Sequence, residues 1–173
     1  FAHELGVRYS EGLYKNTFIG RTFIMPGQAE RKKSVKYKLV PQELEIRDKK
    51  VMIMDDSIVR GNTSREIVRM LKDFGAKEVY FSVACPPVKS PCFYGVDMPT
   101  KGELIAGNMN EDEIENYLDV DALLYQKIDD LVEAVTRKGN HHIDTPCIAC
   151  LDGNYIANDI DDAKITQMEA MRV

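Results

Sequence analysis

Val51-Met52-Ile53-Met54-Asp55-Asp56-Ser57-Ile58-Val59-Arg60-Gly61-Asn62-Thr63-Ser64 sets four apolar residues against two carboxylates, then a loop rich in Gly, Asn, Thr and Ser. An uninterrupted apolar run of this length predicts a central parallel strand, buried on both faces. From Ser64 onward, Ile67, Val68, Leu71 and Phe74 share one helical face, so the loop joins a strand to a helix. In open α/β sheets, ligands bind just beyond the carboxyl ends of the strands. A loop at that place can aim backbone N–H groups and hydroxyls at a phosphate, helped by the positive end of the helix. Paired acids above a phosphate cradle suit vicinal hydroxyls or Mg²⁺. A phosphorylated ribose presents the hydroxyls and the phosphate together. Taken apart, the halves are ordinary: Asp55-Asp56 can simply end a strand, and Asn62-Thr63-Ser64 can simply cap a helix.

The rest of the chain bounds that reading. At 173 residues it makes one domain or most of one, and 44% hydrophobic with 29% charged residues is a globular composition. No apolar stretch approaches the roughly 18 residues of a membrane span, and no secretory pattern is visible. A net charge of −5 argues against broad nucleic-acid binding. Four cysteines without an export signal read as reduced thiols or metal ligands before disulfides, with the cytoplasm as the default compartment. The chain opens on Phe1, and His3-Glu4-Leu5-Gly6 reads as the tail of a helix, so an internal or truncated piece of something longer is expected.

Outside the central run the signals vary in strength. Leu5 to Met25 is weakly patterned, with Arg21–Met25 a candidate strand before Pro26-Gly27. Arg31, Lys32, Lys33, Lys36 and Lys38 follow, opposed locally by Glu30. Such a run is ordinarily a solvated face, and alternatively a basic flap over an anionic ligand. Gly75 stops the helix that begins near Ser64. Val79 to Cys85 is a second strand candidate, halted by Pro86-Pro87. Helical patterns cover Glu111–Leu118 and Asp129–Arg137, with Ala122–Tyr125 a strand between them. This alternation predicts an α/β fold with a mostly parallel sheet flanked by helices.

The order and spacing from Val51 to Ser64 resemble the phosphoribosyl pyrophosphate (PRPP) signature of class I phosphoribosyltransferases. Other segments narrow the resemblance to the amidophosphoribosyltransferase family. Lys15-Asn16-Thr17-Phe18-Ile19-Gly20-Arg21-Thr22-Phe23-Ile24-Met25-Pro26 looks like the entry to that family's flexible catalytic loop, as does the basic stretch through Lys38. Pro91-Cys92-Phe93-Tyr94-Gly95-Val96-Asp97-Met98-Pro99, then Glu103-Leu104-Ile105-Ala106, and finally Cys147-Ile148-Ala149-Cys150 are also similar to it. The resemblance reaches nearly the whole chain. It implies a partial transferase module of the class I type over residues 1–138, with a basic flexible loop at about 15–41, and an extension over 139–173 that carries Cys-x-x-Cys.

That family joins a glutaminase, which releases ammonia from glutamine, to a transferase that places the ammonia on C1 of PRPP. The products are 5-phosphoribosylamine, pyrophosphate and glutamate, the first committed step of purine synthesis. The chain corresponds to the later part of the transferase module; the glutaminase, its nucleophilic cysteine and the pyrophosphate-binding loop are not in it. The resemblance implies that Asp55 and Asp56 meet the ribose hydroxyls and Mg²⁺. It implies that Ser57, Arg60, Gly61, Asn62, Thr63 and Ser64 bind PRPP around its 5′-phosphate, and that Lys15 and Arg21 are catalytic. It also implies a homo-oligomer and feedback by purine nucleotides. Two other classes compete: a class I transferase with a base as acceptor, and a PRPP-sensing regulator that has lost catalysis.

By spacing alone, Cys147-x-x-Cys150 is a zinc half-site, a redox pair or chance. In some members of the resembled family a [4Fe–4S] cluster sits on cysteines at the positions of Cys92, Cys147 and Cys150, plus one further upstream. Cys85, beside Pro86-Pro87, reads as core packing, with a fourth-ligand role as the alternative. His3, His141 and His142 form no metal spacing.

Overall fold

The structure is a computed structural model that describes residues 1–16, 39–137, 145–156 and 160–170, save the side chain of Asp162. The expected strand at 21–25, Arg21, the basic run from Arg31 to Lys38, and His141-His142 lie outside the described residues. Among the described residues no helix is long and apolar enough to cross a membrane. The chain divides into two compact units, one of Phe1–Ile53, Gly61–Phe81 and Glu115–Ala122, the other of Met54–Arg60, Ser82–Ile114 and Leu123–Val173.

In the first unit, Val7 N–H donates to Ala2 O and Gly6 N–H to His3 O, with Gly6 at φ +65°. That pair of bonds resembles the carboxyl-terminal closure of a helix, but residues 2–6 form hydrogen-bonded turns and not a helix. Strand β1 (Leu13–Lys15) pairs antiparallel with β2 (Leu39–Pro41), Tyr14 opposite Val40. This short ribbon has no sequence signal of its own, because three residues are too few to show a period. Helix α1 (Glu43–Ile46) follows and buries Ile46.

Strand β3 (Lys50–Asp55) leads through the Asp55–Gly61 loop into α2 (Asn62–Asp73). The helix buries Val68, Met70 and Leu71 and ends before Gly75 at φ +85°. Strand β4 (Glu78–Val83), helices α3 (Ile105–Asn108) and α4 (Glu111–Leu118), strand β5 (Ala122–Tyr125) and α5 (Ile128–Thr136) continue the alternation. Helix α4 and strand β5 have the expected bounds, and α5 is shifted by one residue from its own.

The sheet order is β3-β4-β5. Lys77 N–H donates to Lys49 O and Ala84 N–H to Asp55 O, while Asp121 and Gln126 N–H donate to Val79 O and Val83 O. Partner numbers rise together, so both pairings are parallel. One expectation fails here. Strand β3 is at the edge of the described sheet, with Met52 and Met54 43% and 45% exposed, whereas Val79, Phe81 and Val83 of β4 are buried. A continuous apolar run does not state whether both faces of its strand are covered; among the described residues the alternate side chains Met52 and Met54 share one open face of β3, while β4 is largely buried.

The second unit holds two apolar clusters. Val88, Leu104 and Leu151 pack with Val59, Cys85, Met98, Ile148 and Cys150, among others. Ala149 of the short helix α6 (Ala149–Asp152) packs with Tyr155, Phe93, Ile160 and Ile165, the last from α7 (Asp162–Ala170).

Candidate functional site

The acid end of the loop is fixed by its own backbone. Ala84 N–H donates to Asp55 O at 3.0 Å and Cys85 N–H to Asp56 O at 2.9 Å, so the chain leaving β4 holds both acidic residues in line. The Asp55 carboxylate accepts the Asp56 N–H at 3.0 Å, and the Asp56 carboxylate accepts the Ser57 hydroxyl at 2.9 Å. Burial pushes the Asp55 carboxyl above its ordinary value; the Asp56 N–H pulls it back, and the charge of Asp56 raises it again. A half-buried acid in that state gains from a cation or a donor brought to it.

Ile58 plugs the loop into the interior at 2% exposure. Val59 O accepts the Ile105 N–H at 2.9 Å, and Arg60 Nε donates to Glu103 Oε1 at 3.0 Å. In the first unit, Gly61 turns the chain with φ +74° and precedes α2, whose first bond runs from Arg65 N–H to Gly61 O. A left-handed residue at this point favours glycine, since a side chain there would be strained. No side chain caps the helix start. Its first N–H groups therefore have no partner within the helix and are donors for an anion.

Asn62 and Thr63 are exposed and Ser64 is buried. The Tyr117 hydroxyl donates to Asn62 Oδ1 at 3.1 Å, and the Arg65 guanidinium lies 4.6 Å from the centre of the same ring. Asn62, Arg65 and Tyr117 line a surface cavity of about 400 Å³ that also includes Arg69 and Asp119. Lys15 is exposed at the end of β1.

The thiols form a second group. Cys150 is half-buried; burial pushes its thiol up, and Cys92 and Cys147 nearby add to the rise. Cys85 is raised by burial first, then by Cys150 and Asp56. The Tyr94 N–H donates to Cys92 Sγ at 3.3 Å, and the Tyr155 hydroxyl to Pro91 O at 2.7 Å. Lys89 and Ser90 N–H both donate to Cys150 O. The donor set is soft and thiol-only, which suits zinc or an iron–sulfur cluster. Among the described residues, however, no three metal-ligating side chains come close enough to hold an ion, so the thiols are neighbours without being a closed ligand set.

No protein-family model matches the chain. It is 48% identical over 171 residues to the amidophosphoribosyltransferase of Pseudomonas aeruginosa, covering 99% of this chain and 34% of that protein. With the same enzyme of Methanothermobacter thermautotrophicus it shares 45% identity over 172 residues, 99% of this chain and 35% of the relative. In structure it is similar to glutamine PRPP amidotransferase from B. subtilis complexed with ADP and GMP, with a TM-score of 0.76 and 41% identity over 90% of this chain and 34% of the other. The chain is a relative of the amidophosphoribosyltransferases.

It spans about a third of the length of the curated amidophosphoribosyltransferases it matches. The sequence offers Glu103 and Ile105 only as part of a resembling segment, with no role, and gives no sign of Tyr117. Thr100-x-x-Glu103 is a capping-box pattern, and the box forms, with Glu103 Oε2 accepting the Thr100 N–H. That signal announces a turn, though not that the free oxygen of Glu103 reaches Arg60. Tyr117 reads as one more position of α4 until the fold brings Asn62 to it.

Proposed function

We propose that the chain is the PRPP-binding part of an enzyme that transfers ammonia to C1 of PRPP. Ammonia would come from glutamine in a glutaminase module, leaving glutamate. At C1 the nitrogen lone pair forms the C–N bond, the bond to the pyrophosphate oxygen breaks, and the nitrogen gives up a proton. The products are 5-phosphoribosylamine and pyrophosphate, the first committed step of purine synthesis. The observation that carries this reading is the continuous run from the half-buried Asp55, through left-handed Gly61, to the uncapped start of α2.

Chemistry of this kind depends on holding the sugar and its charges in place rather than on a nucleophilic side chain. In this reading Asp55 and Asp56 bind the ribose hydroxyls and would hold Mg²⁺. That ion neutralises the departing pyrophosphate when bound. Ser57, Arg60, Gly61, Asn62, Thr63 and Ser64 surround the 5′-phosphate, through backbone N–H groups and hydroxyls. Lys15 and Arg21 are the catalytic cations, with the basic run through Lys38 over the pyrophosphate. Cys92, Cys147 and Cys150 would carry a [4Fe–4S] cluster as a structural pin; no step of the reaction passes through it.

We assign the transferase portion to 1–138 and the cluster-bearing extension to 139–173. Purine nucleotides are proposed as inhibitors, supported by the ADP and GMP of the B. subtilis enzyme. A cytoplasmic homo-oligomer completes the reading. Titration calorimetry with PRPP and Mg²⁺ tests it. Replacing both acids, Asp55→Asn with Asp56→Asn, should weaken binding at least about tenfold, since hydrogen bonds to charged groups contribute about 1.5–3 kcal/mol. Unchanged affinity in the double variant would remove the reading.

A further inference from the structure

Arg60 is the cation within the phosphate loop, and it is already engaged. Its Nε donates to Glu103 Oε1 at 3.0 Å, and the two side chains are 43% and 49% exposed. The other oxygen of the same carboxylate accepts both the N–H and the hydroxyl of Thr100, each at 3.1 Å. Two residues on, the Ile105 N–H donates to Val59 O at 2.9 Å. Between them Leu104 is fully buried in the cluster with Val88 and Leu151. One short segment, Thr100 to Ile105, thus grips two consecutive loop residues, one through the backbone and one through the side chain, and is itself pinned to the core.

An exposed ion pair contributes little to stability. The two bonds from Thr100 close the capping box of its turn, but stability does not account for the third, from Arg60 to the other oxygen of that carboxylate. A guanidinium has five N–H donors in a rigid plane. Holding it by Nε leaves Nη1 and Nη2 uncommitted among the described residues, while fixing the plane in which they lie. The carboxylate in turn is prevented from swinging by Thr100. We propose that Glu103 is a positioning residue for substrate: it sets the Arg60 guanidinium so that the terminal nitrogens meet a phosphate of PRPP. The inference rests on the PRPP reading above.

Two effects of Glu103 oppose each other, and the sign of the experiment separates them. If Glu103 merely cancels the charge of Arg60, removing its own charge tightens phosphate binding. If it orients the guanidinium, removing it loosens binding. In the full-length protein with Mg²⁺, Glu103→Gln should raise both Kd and KM for PRPP about fivefold, with kcat changed less than about twofold. Gln can still accept from Thr100, so the turn is retained. Thr100→Val, which removes only the hydroxyl that steadies the carboxylate, should shift affinity the same way by a smaller factor. Arg60→Gln with Glu103→Gln should be no worse than Arg60→Gln alone, because one residue acts through the other. Unchanged or tighter PRPP binding in Glu103→Gln, or independent addition of the two effects, overturns the inference and leaves the PRPP reading standing. A wild-type protein that binds no PRPP overturns the reading and the inference with it.

Discussion

The acid-to-helix loop and the cysteine segments both gather polar atoms, by opposite means. From Asp55 to Ser64 every candidate ligand belongs to one unbroken stretch, and Asp55 and Asp56 bond to Asp56 N–H and Ser57 Oγ, their immediate neighbours. Cys92 and Cys150 stand 58 positions apart in the chain (150 minus 92) and are near each other because of packing. Phe93 lies against Tyr155 at 5.3 Å between ring centres, and the Tyr155 hydroxyl ties back to Pro91 O. The loop's candidate ligands are neighbours in the chain from the outset, and Ala84, Cys85 and Ile105 then hold its backbone. The thiols require that the core around Leu104, Leu151 and Tyr155 has already formed.

The largest effect should come from the thiols. Full-length protein, which would include the upstream cysteine, purified without oxygen is expected to hold about four irons per chain if the proposed [4Fe–4S] cluster is present. Cys150→Ser should abolish that iron, and Cys85→Ser should leave it nearly intact, Cys85 being a packing residue of the same apolar cluster. Metal analysis of the two variants decides the point; full iron in Cys150→Ser would break the contrast between a local site and a packed one.

An intermediate effect is expected at Gly107. A Cβ there would lie 3.0 Å from Lys89 O and 3.2 Å from Lys101 O, both of them backbone atoms. Lys89 also donates to Cys150 O, and Lys101 begins the turn that ends at Glu103. Gly107→Ala should therefore destabilise the protein by about 1–3 kcal/mol, measured by denaturant unfolding. Its further use is to sharpen the comparison: iron content should fall along with stability. Full stability in this variant would show that the segments behind the thiols and before Glu103 are not mechanically joined.

The smallest effect belongs to the loop. Burial raises the Asp55 carboxyl above its unfolded value, so the folded protein holds that proton more tightly than the unfolded chain. The advantage is complete below the unfolded value, about 3.9, and is lost as pH rises through the folded one. At neutral pH the ionised carboxylate is a burden on the fold, lessened by its partial exposure. Asp55→Asn alone should then raise Tm by about 1–2 °C at pH 7 in the absence of ligand, and by nothing measurable at pH 3. A lower Tm at pH 7 would mean that the carboxylate's bond from Asp56 N–H outweighs its burial.

What could be read beforehand follows the same division. The acids, Gly61, α4 and β5 were legible because periodicity and turn chemistry act over a few residues. The open face of β3 was not, since the same Val-Met-Ile-Met run suits a strand covered on one face or on both. Ribbon β1–β2 was missed because its partners, Tyr14 and Val40, are 26 positions apart (40 minus 14) and each strand has three residues. Glu103 stayed unseen as a loop contact for a like reason: Arg60 is 43 positions away. The arrangement of Cys85 beside Cys150 also depends wholly on tertiary packing.

The open face of β3 has a practical consequence. Met52 and Met54 stand on it as thioethers within reach of solvent. Mild peroxide converts an accessible methionine to its sulfoxide, a polar and chiral group that methionine sulfoxide reductases restore. The two side chains are thus natural footprinting probes, each reporting by a mass increment whether another part of an assembly lies over the sheet. Buried Met70 of α2, 7% exposed, is the internal standard that should stay unmodified while the fold is intact.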